Sequence, residues 1–332
     1  MTSRILIKKD LFYLILIGVV LILIAGLRPI GIDRDSLEYV GIVGFNDVNI
    51  NLLNTEPGFW LIYKVNIIIF NGNTQSFFLI YALLGVSLKI FAIKKYSLLP
   101  FFSTFTYVCL YFILHEMTQI RVGVAAAIFL LALQDIKDKN LKSYLVKTMV
   151  ASMFHYSAII MLLVYPIKPN KINIKVFFMF PIIGLFFAFF KNIFLSIFST
   201  MTSVLPKYLS HKIDLYISLL NDGVHSDINI FNFFYTSLLF IYYLSLLNYR
   251  RMKAEYDIIF IKILGIMLFM FNFLSFLPVF AFRVSEFFGV VLIFLIPHIL
   301  LAIKQKTIAS IPIVIWLLSY FTFIMVMRNL NL

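Results

Sequence analysis

Three carboxylates in one short loop are the residues of this 332-residue chain best suited to chemistry. Asp33, Asp35 and Glu38 follow closely after an apolar run that ends at Leu27. A carboxylate in such a place can act as a general base toward a hydroxyl group, or it can bind a divalent ion. The alternative is a solvated polar loop that caps a helix beginning near Asp35. The residue types leave both interpretations open.

A second polar group, residues 115–121 (HEMTQIR), lies between two apolar runs. Glu116 and Arg121 are five positions apart, whereas side chains on one helical face are three or four apart. We therefore expect both to face a shared cavity rather than each other. The planar fork of an arginine binds phosphate through two parallel hydrogen bonds. The alternative is a structural ion pair at a helical hairpin.

Four further polar residues stand singly within or beside apolar runs. His155 can donate to a phosphate or exchange a proton near neutral pH, although a lone histidine there is more often a packing residue. Arg283 can complete a pyrophosphate clamp with Arg121, or extend toward lipid headgroups. Lys191 can contact a lipid phosphate or extend in the same way. Glu56 is favoured as a helix N-cap over a site carboxylate.

The surroundings that must position these residues are apolar along most of the chain. Hydrophobic residues make up 62% of the sequence and charged residues 13%, whereas soluble proteins average about 45–50% and about 25%. The sequence therefore predicts an all-α, polytopic transmembrane helical bundle that forms a single membrane domain over residues 1–332. The formal charge of +13 fits basic cytoplasmic loops better than nucleic-acid binding. The single cysteine, Cys109, excludes an intrachain disulfide framework.

A membrane-spanning helix needs about 20 apolar residues. The first apolar run is predicted to be a retained span, because Arg28-Pro29 follows it and no cleavage site of small residues does. Residues 56–70 and 144–166 are ambiguous because each carries a polar residue near its middle. The clear candidate spans are 11–27, 76–93, 98–114, 117–134, 176–199, 228–247, 258–280, 285–303 and 309–327.

Loop charges predict the orientation, since basic loops remain cytoplasmic. If every basic cluster is cytoplasmic, the N-terminus is cytoplasmic, and residues 28–75 and 200–227 form outer loops. Residues 56–70 then cannot cross the membrane and are predicted to form an interfacial helix with its apolar side toward the lipid. The basic clusters are Arg4/Lys8/Lys9, Lys94/Lys95, Lys137/Lys139/Lys142, Lys168/Lys171/Lys175, Arg250/Arg251/Lys253 and Lys304/Lys306.

The same rule constrains residues 144–166. Because basic clusters on both sides of this segment are cytoplasmic, the segment must cross twice or not at all. The simplest solution is a broken hairpin of two short helices, 144–154 and 156–166, that turns near His155. Non-helical backbone at membrane depth is tolerated where it is buried or lines a cavity, so a polar cavity is expected beside His155. The alternative is one ordinary span.

Motifs for common cofactors are absent from the sequence. It contains no Walker loop, no dinucleotide-binding glycine fingerprint and no nucleophile elbow. The histidines and aspartates of residues 200–227 match no metal signature. We therefore predict no cofactor and no metal site, and leave open whether a divalent ion takes part.

Several motifs resemble the EpsG family over about residues 28–300. The most specific are Glu116-x2-Gln119-Ile120-Arg121-x3-Ala125 and Phe154-His155-Tyr156-Ser157-Ala158. Weaker matches are Arg28, Gly31-x-Asp33-Arg34-Asp35-x3-Tyr39, Glu56-Pro57-Gly58-Phe59 and Arg283. This family is similar to Wzy-type O-antigen and exopolysaccharide polymerases and is grouped with the C-type membrane glycosyltransferases. Those enzymes have an outer first loop with carboxylates and interfacial helices, followed by a short broken hairpin.

The resemblance implies a polymerase that joins undecaprenyl-pyrophosphate-linked oligosaccharides into O-antigen, capsule or exopolysaccharide at the periplasmic face of the bacterial inner membrane. Its partners would be these lipid-linked substrates, the bilayer and, as a candidate, a chain-length regulator, with no nucleic acid. Catalytic roles are predicted for Asp33, Asp35, Glu38 and His155. Substrate-binding roles are predicted for Arg121, Arg283, Glu116, Gln119, Arg34, Tyr39, Glu56 and Lys191.

Two other functions remain open at this point. One is a glycosyltransferase of the same architecture that adds a single sugar from a polyprenyl-phosphate donor. The other is a non-enzymatic flippase for lipid-linked oligosaccharides, which would need a cavity open alternately to both faces. The concentration of candidate residues on the predicted outer side favours an enzyme over a flippase.

Overall fold

A computed structural model describes residues 2–33, 35–44, 56–201, 210, 218 and 228–329. These residues are helical or lie in turns and loops, with no strand among them, so the all-α prediction is confirmed. The chain divides into two compact units. The first unit comprises Met1–Pro169, Arg251–Asp257 and Leu292–Leu332, and the second comprises Asn170–Arg250 and Ile258–Val291. The predicted single domain stays a prediction.

The helices of the described residues are named here, apart from two single-turn 3₁₀ helices, Tyr249–Arg251 and Leu274–Phe276. In chain order they are α1 (Thr2–Gly26), α2 (Ser36–Gly44), α3 (Pro57–Phe70), α4 (Thr74–Tyr96), α5 (Pro100–Tyr107), a π-helix (Val108–Thr118), α6 (Ile120–Asp138), α7 (Leu141–Phe154), a 3₁₀ helix (Tyr156–Leu163), α8 (Ile174–Phe189), α9 (Lys191–Met201), α10 (Phe233–Asn248), α11 (Asp257–Phe273), α12 (Pro278–Gly289), α13 (Leu292–Ala302) and α14 (Lys306–Asn329).

Helices α1 and α4 pack side by side and run in opposite directions. Gly26, at the end of α1, lies so close to α4 that a methyl group on it would come within 2.8 Å of the Leu79 Cα atom. Gly18, two turns earlier, lies against Ile90, further along α4. The chain between the two helices therefore returns to the end of α1 from which it left. A single crossing between α1 and α4, by residues 56–70 alone, is incompatible with this geometry, in agreement with the loop charges.

Helix α3 has the form expected of an interfacial helix. Its 14 residues are too few for a span, since about 20 are needed. Phe59 and Ile62 are buried on one side of the helix, whereas Leu61 and Ile68 are exposed on the other. The exposed apolar side is the one predicted to meet lipid.

The predicted turn at His155 is confirmed, whereas the double crossing of the membrane by this hairpin stays a prediction. Helix α7 ends at Phe154, His155 adopts an extended conformation (φ −154°, ψ 116°), and a 3₁₀ helix runs back. The Tyr144 hydroxyl donates to the Met161 carbonyl oxygen at 2.6 Å, and the Tyr144 and Tyr165 rings lie 5.0 Å apart. The beginning of α7 therefore meets the end of the 3₁₀ helix.

Four helices in the described part of the chain are long and apolar enough to cross a membrane, or up to six spans if each bent pair counts as one. This number of spans is smaller than the number of clear candidate spans that the apolar runs of the sequence predict. The run 176–199 is divided into α8 and α9, which meet at an angle of 72°. The run 228–247 contains a helix of only 16 residues, α10. The chain is a multi-pass membrane protein, but its apolar runs are broken more often than composition indicates.

Two polar aromatic residues are buried within apolar helices, although tyrosines and histidines in such runs are often anchors at the membrane interface. Tyr242, in the second unit, is fully buried and its hydroxyl donates to the Phe177 carbonyl oxygen. His298, in the first unit, is buried with Nδ1 at 2.7 Å from Asp257 Oδ1, and its Nε2 accepts from the Leu98 N–H at 3.0 Å. Both side chains therefore join helices within their unit.

Candidate functional site

Three elements of the first unit bring ionisable side chains together. Glu56 precedes α3, Arg121 lies in the first turn of α6, and His155 forms the hairpin turn. Arg121 Nη1 lies 2.6 Å from Glu56 Oε2, and His155 Nδ1 lies 3.2 Å from Glu56 Oε1. The exposed fraction of the side chain is 35% for Arg121, 12% for His155 and 7% for Glu56. We name these three residues the open cluster, because its cation reaches solvent.

Glu56 lies at the predicted N-cap position of α3, but its carboxylate does not bond to the helix, and its role as a site carboxylate stays a prediction. Its backbone is extended before Pro57, but its side chain makes no capping hydrogen bond to α3. Both carboxylate oxygens are bound by the other members of the open cluster. Proline at the first helical position starts α3 without a side-chain cap, because its ring already fixes the helical φ angle. The carboxylate is thereby left for Arg121 and His155.

A glycine lets α3 approach the hairpin. A Cβ atom on Gly58 would lie 2.8 Å from the Met153 carbonyl oxygen and 3.3 Å from the Phe154 ring. Any larger residue at this position would push the start of α3 away from the end of α7. The distance between Glu56 and His155 therefore depends on the absence of a side chain at Gly58.

The open cluster holds Glu56 in its ionised form. Burial alone raises the pKa of Glu56, but the hydrogen bond from His155 and the charge of Arg121 outweigh it and lower that pKa to about 2. An ionised carboxylate is only a hydrogen-bond acceptor, so His155 Nδ1 is the donor. In the neutral imidazole the lone pair is then on Nε2.

Aromatic residues surround the Arg121 guanidinium. It lies 5.4 Å from the centre of the Phe59 ring and next to the buried hydroxyl of Tyr39. Burial raises the pKa of Tyr39, so this hydroxyl stays protonated. Asp35 is near enough to affect the same hydroxyl electrostatically, and it is half-buried. Asp35 therefore lies near Tyr39, which borders the open cluster.

Asp33 is committed to a different partner. Its Oδ2 accepts from Arg28 Nε at 2.7 Å, and both side chains are almost completely buried. Arg28 also donates to the carbonyl oxygens of Ala25 and Met117 and stacks on the Phe78 ring at 3.9 Å. This geometry favours a structural role for Asp33, because its carboxylate balances a buried cation. Its predicted catalytic role stays untested.

The remaining predicted site residues are distributed over both units. Glu38 is exposed in the first turn of α2, and Gln119 is half-buried at the junction between the π-helix and α6. Arg283 is exposed on α12 and Lys191 is half-buried at the start of α9, both in the second unit. Arg34 and the candidate residues of 202–209, 211–217 and 219–227 lie outside the described residues. A clamp formed by Arg121 and Arg283 stays a prediction.

Glu116 does not share a partner with Arg121. Its Oε1 lies 2.5 Å from Lys89 Nζ and accepts from the Tyr107 hydroxyl at 2.9 Å. Lys89 and Glu116 are fully buried, which matches the structural alternative better than substrate binding. Lys89 was not among the predicted site residues. A lysine in the middle of the apolar run 76–93 is nevertheless a signal that could have identified it.

A metal centre finds no support in the described residues. No three histidine, cysteine, aspartate or glutamate side chains among them gather in a way that could hold a metal ion. The open cluster itself contains one carboxylate and one imidazole beside a guanidinium, whose positive charge opposes a bound cation. The chemistry that this cluster can support is anion binding and proton transfer.

Comparison with known proteins places the chain in a family. The family model described as "EpsG family" matches residues 11–332. The chain belongs to the EpsG family. The match of this EpsG-family chain begins before the motifs around residue 28 and includes the final helix and residues 200–227, where no motif was recognised. No curated protein and no solved structure matches the chain. Membership makes it a membrane protein of the polysaccharide-polymerase kind.

Proposed function

We propose that this chain is a glycosyltransferase that joins lipid-pyrophosphate-linked oligosaccharide repeat units into a polysaccharide. The observation that carries the proposal is the open cluster, in which a partly exposed arginine lies beside a carboxylate-bound histidine. The first of these groups can bind a pyrophosphate, and the second can activate a hydroxyl. Family membership supports the general class, and the cluster supports the chemistry.

Arg121 is the proposed binding group for the pyrophosphate. Its guanidinium is always protonated and can bind phosphate oxygens in a fork. Negative charge accumulates on the leaving pyrophosphate in the transition state, and a preorganised cation stabilises it there. Glu56 and the Phe59 ring fix the guanidinium before substrate arrives. Substrate binding by Arg283 stays a prediction from the sequence, and the ladder assay below includes it.

The proposed reaction is one displacement at the anomeric carbon. A sugar hydroxyl of one lipid-linked unit attacks the anomeric carbon of the glycan on another lipid, and the bond to the pyrophosphate oxygen breaks. The hydroxyl proton passes to a base, and the lipid keeps its pyrophosphate. His155, oriented by Glu56, is the proposed base, and Asp35 is the alternative among the loop carboxylates. One displacement inverts the anomeric configuration.

The membrane delivers the substrate in this proposal. The exposed apolar side of α3, with Leu61 and Ile68, would lie in the interface next to the open cluster. A polyprenyl tail could then remain in the lipid while its pyrophosphate reaches Arg121. The charge pattern of the loops supports a cytoplasmic N-terminus and an open cluster on the periplasmic side of the bacterial inner membrane.

The test is a polymer-ladder assay in cells that lack the chromosomal copy of the protein. We expect Arg121→Ala and His155→Ala to abolish long ladders while protein levels hold, and Arg283→Ala to shorten them. Arg250→Ala, which removes an exposed arginine, is the matched control and should leave the ladder unchanged.

Two outcomes would contradict the proposal. Full-length ladders in the Arg121, His155 and Arg283 variants would mean that the site is wrong. A changed sugar composition of the repeat unit, rather than a changed number of repeats, would indicate the single-sugar transferase. Formation of new glycosidic bonds by purified protein in detergent excludes a flippase.

A further inference from the structure

Lys89, on α4, joins the π-helix and α6, which meet where the helical backbone is interrupted at Gln119. Its Nζ donates to Glu116 Oε1 at 2.5 Å and to the Gly123 carbonyl oxygen at 2.7 Å. Glu116 belongs to the π-helix and Gly123 belongs to α6. One ammonium group on α4 therefore contacts both sides of the junction.

The junction itself is not helical. Gln119 has φ −92° and ψ 58°, which separates the end of the π-helix from the start of α6. Arg121 follows two residues later, in the first turn of α6. Its distance from Glu56 therefore depends on the angle at which α6 leaves the junction, because the first turn moves with the helix.

The surroundings of Glu116 fix its carboxylate. The Tyr107 hydroxyl donates to Oε1 at 2.9 Å. On the other side, a Cβ atom on Gly85 would overlap Oε2, so the carboxylate occupies space that only glycine leaves open at that position. Side chains of Lys89 and Glu116 are at most 1% exposed, so neither can contact a substrate.

We propose that Lys89 and Glu116 are positioning residues for Arg121, acting through the junction at Gln119. The two charges hold the π-helix and α6 at a fixed angle, which keeps the guanidinium within reach of Glu56. A buried ion pair adds little net stability compared with apolar packing, but it requires one geometry. The inference rests on the proposed role of Arg121, and it replaces substrate binding by Glu116 with an indirect role.

The experiment uses a paired neutral variant, Lys89→Gln/Glu116→Gln, which leaves no unpaired buried charge. The matched control is Lys147→Gln/Asp135→Asn, which removes the ion pair (2.6 Å) near the other end of α6. Initial rates of polymer formation are measured with purified full-length protein over a range of lipid-linked substrate concentrations. We expect kcat/KM to fall by about tenfold or more in the paired variant, because small misplacements of a binding group have effects of this size. The control should stay within about twofold.

Coupling to Arg121 separates positioning from general stability. The Arg121→Lys substitution is combined with the paired variant in a mutant cycle. If the pair acts only by positioning Arg121, the combined variant should be at most about twofold slower than the slower of Arg121→Lys and the paired variant. Independent, multiplying losses would overturn the proposal, and so would a wild-type rate in the paired variant. If the paired variant fails to accumulate while the control accumulates, both residues are needed for folding, and the positioning role is wrong.

Failure of the proposed function would look different. In that case the purified wild-type protein would itself form no polymer from lipid-linked units. If only the role of Arg121 failed, Arg121→Lys and Arg121→Ala would polymerise at the wild-type rate, whatever the paired variant does. If the Arg121 variants are slow but the paired variant polymerises at the wild-type rate, the proposed function still holds and only the positioning role is wrong.

Discussion

Among the described residues of the first unit, closed ion pairs and the open cluster both combine basic side chains with a carboxylate. In the closed pairs, Arg28–Asp33 and Lys89–Glu116, the side chains are at most 1% exposed. In the open cluster, Arg121 keeps 35% of its side chain exposed. The closed cations also bind backbone carbonyls on neighbouring segments, at Met117 and Gly123. The closed pairs hold chain segments together, whereas the open cluster leaves its cation partly exposed to solvent.

This difference shows that a charged residue in an apolar chain has two distinct uses. Unpaired charge is too costly to bury, so each closed pair must be complete within the protein. The open cluster can tolerate incomplete pairing because part of it meets solvent. Substitution should therefore affect stability most in the closed pairs, and activity most in the open cluster.

The largest stability effect is expected at Arg28. Arg28→Met leaves the buried Asp33 carboxylate without its cation, and should lower the free energy of unfolding by about 3–5 kcal/mol. Thermal unfolding in detergent measures this loss. Arg28→Met/Asp33→Leu should recover part of it, since no charge is then unpaired. An Arg28→Met protein as stable as the wild type would contradict the assignment of this pair as structural.

The next effect is pH-dependent and belongs to Glu56. Because folding lowers the pKa of Glu56 from 4.5 to about 2, the ionised form stabilises the fold above about pH 4.5, by about 3 kcal/mol. This stabilisation is lost as the pH falls from about 4.5 toward about 2. The difference in unfolding temperature between wild type and Glu56→Gln should therefore be largest near neutral pH and shrink in acid. A difference independent of pH would contradict the ionised open cluster.

A smaller effect is expected at Gly58. Gly58→Ala places a methyl group against the Met153 carbonyl oxygen, and should cost about 1–3 kcal/mol. It should also reduce polymerisation, because it separates α3 from the hairpin that carries His155. Gly41→Ala is the matched control, since a Cβ atom there meets nothing within 4 Å. Equal stability and activity for both variants would show that the approach of α3 does not set the open cluster.

The smallest effect is expected from cysteine labelling, which tests the side of the membrane rather than stability. Cys109 is buried, so introduced cysteines dominate the reaction. Lys139→Cys and Lys168→Cys, at the two ends of the hairpin, should react from the same side of the membrane. Asn71→Cys, between α3 and α4, should react from the opposite side. Labelling of the two lysine positions from opposite sides would contradict the hairpin.

The sequence by itself determined the architecture near the site. Apolar composition predicted the helices, and the sides of the basic loops predicted that residues 56–70 do not cross and that residues 144–166 turn back at His155. These inferences succeed because hydrophobicity and loop charge act locally on each segment as it meets the bilayer. The motifs around Arg121 and His155 also identified the family.

Only the tertiary structure decided which charges pair. Glu56 was expected to cap a helix, yet it binds Arg121 and His155, which are 65 and 99 positions away. Glu116 binds Lys89 on another helix rather than facing a cavity with Arg121. These partners depend on how each helix is rotated and on glycines that let helices approach. Such contacts arise from packing between distant segments, and residue types and spacing along one segment do not contain that information.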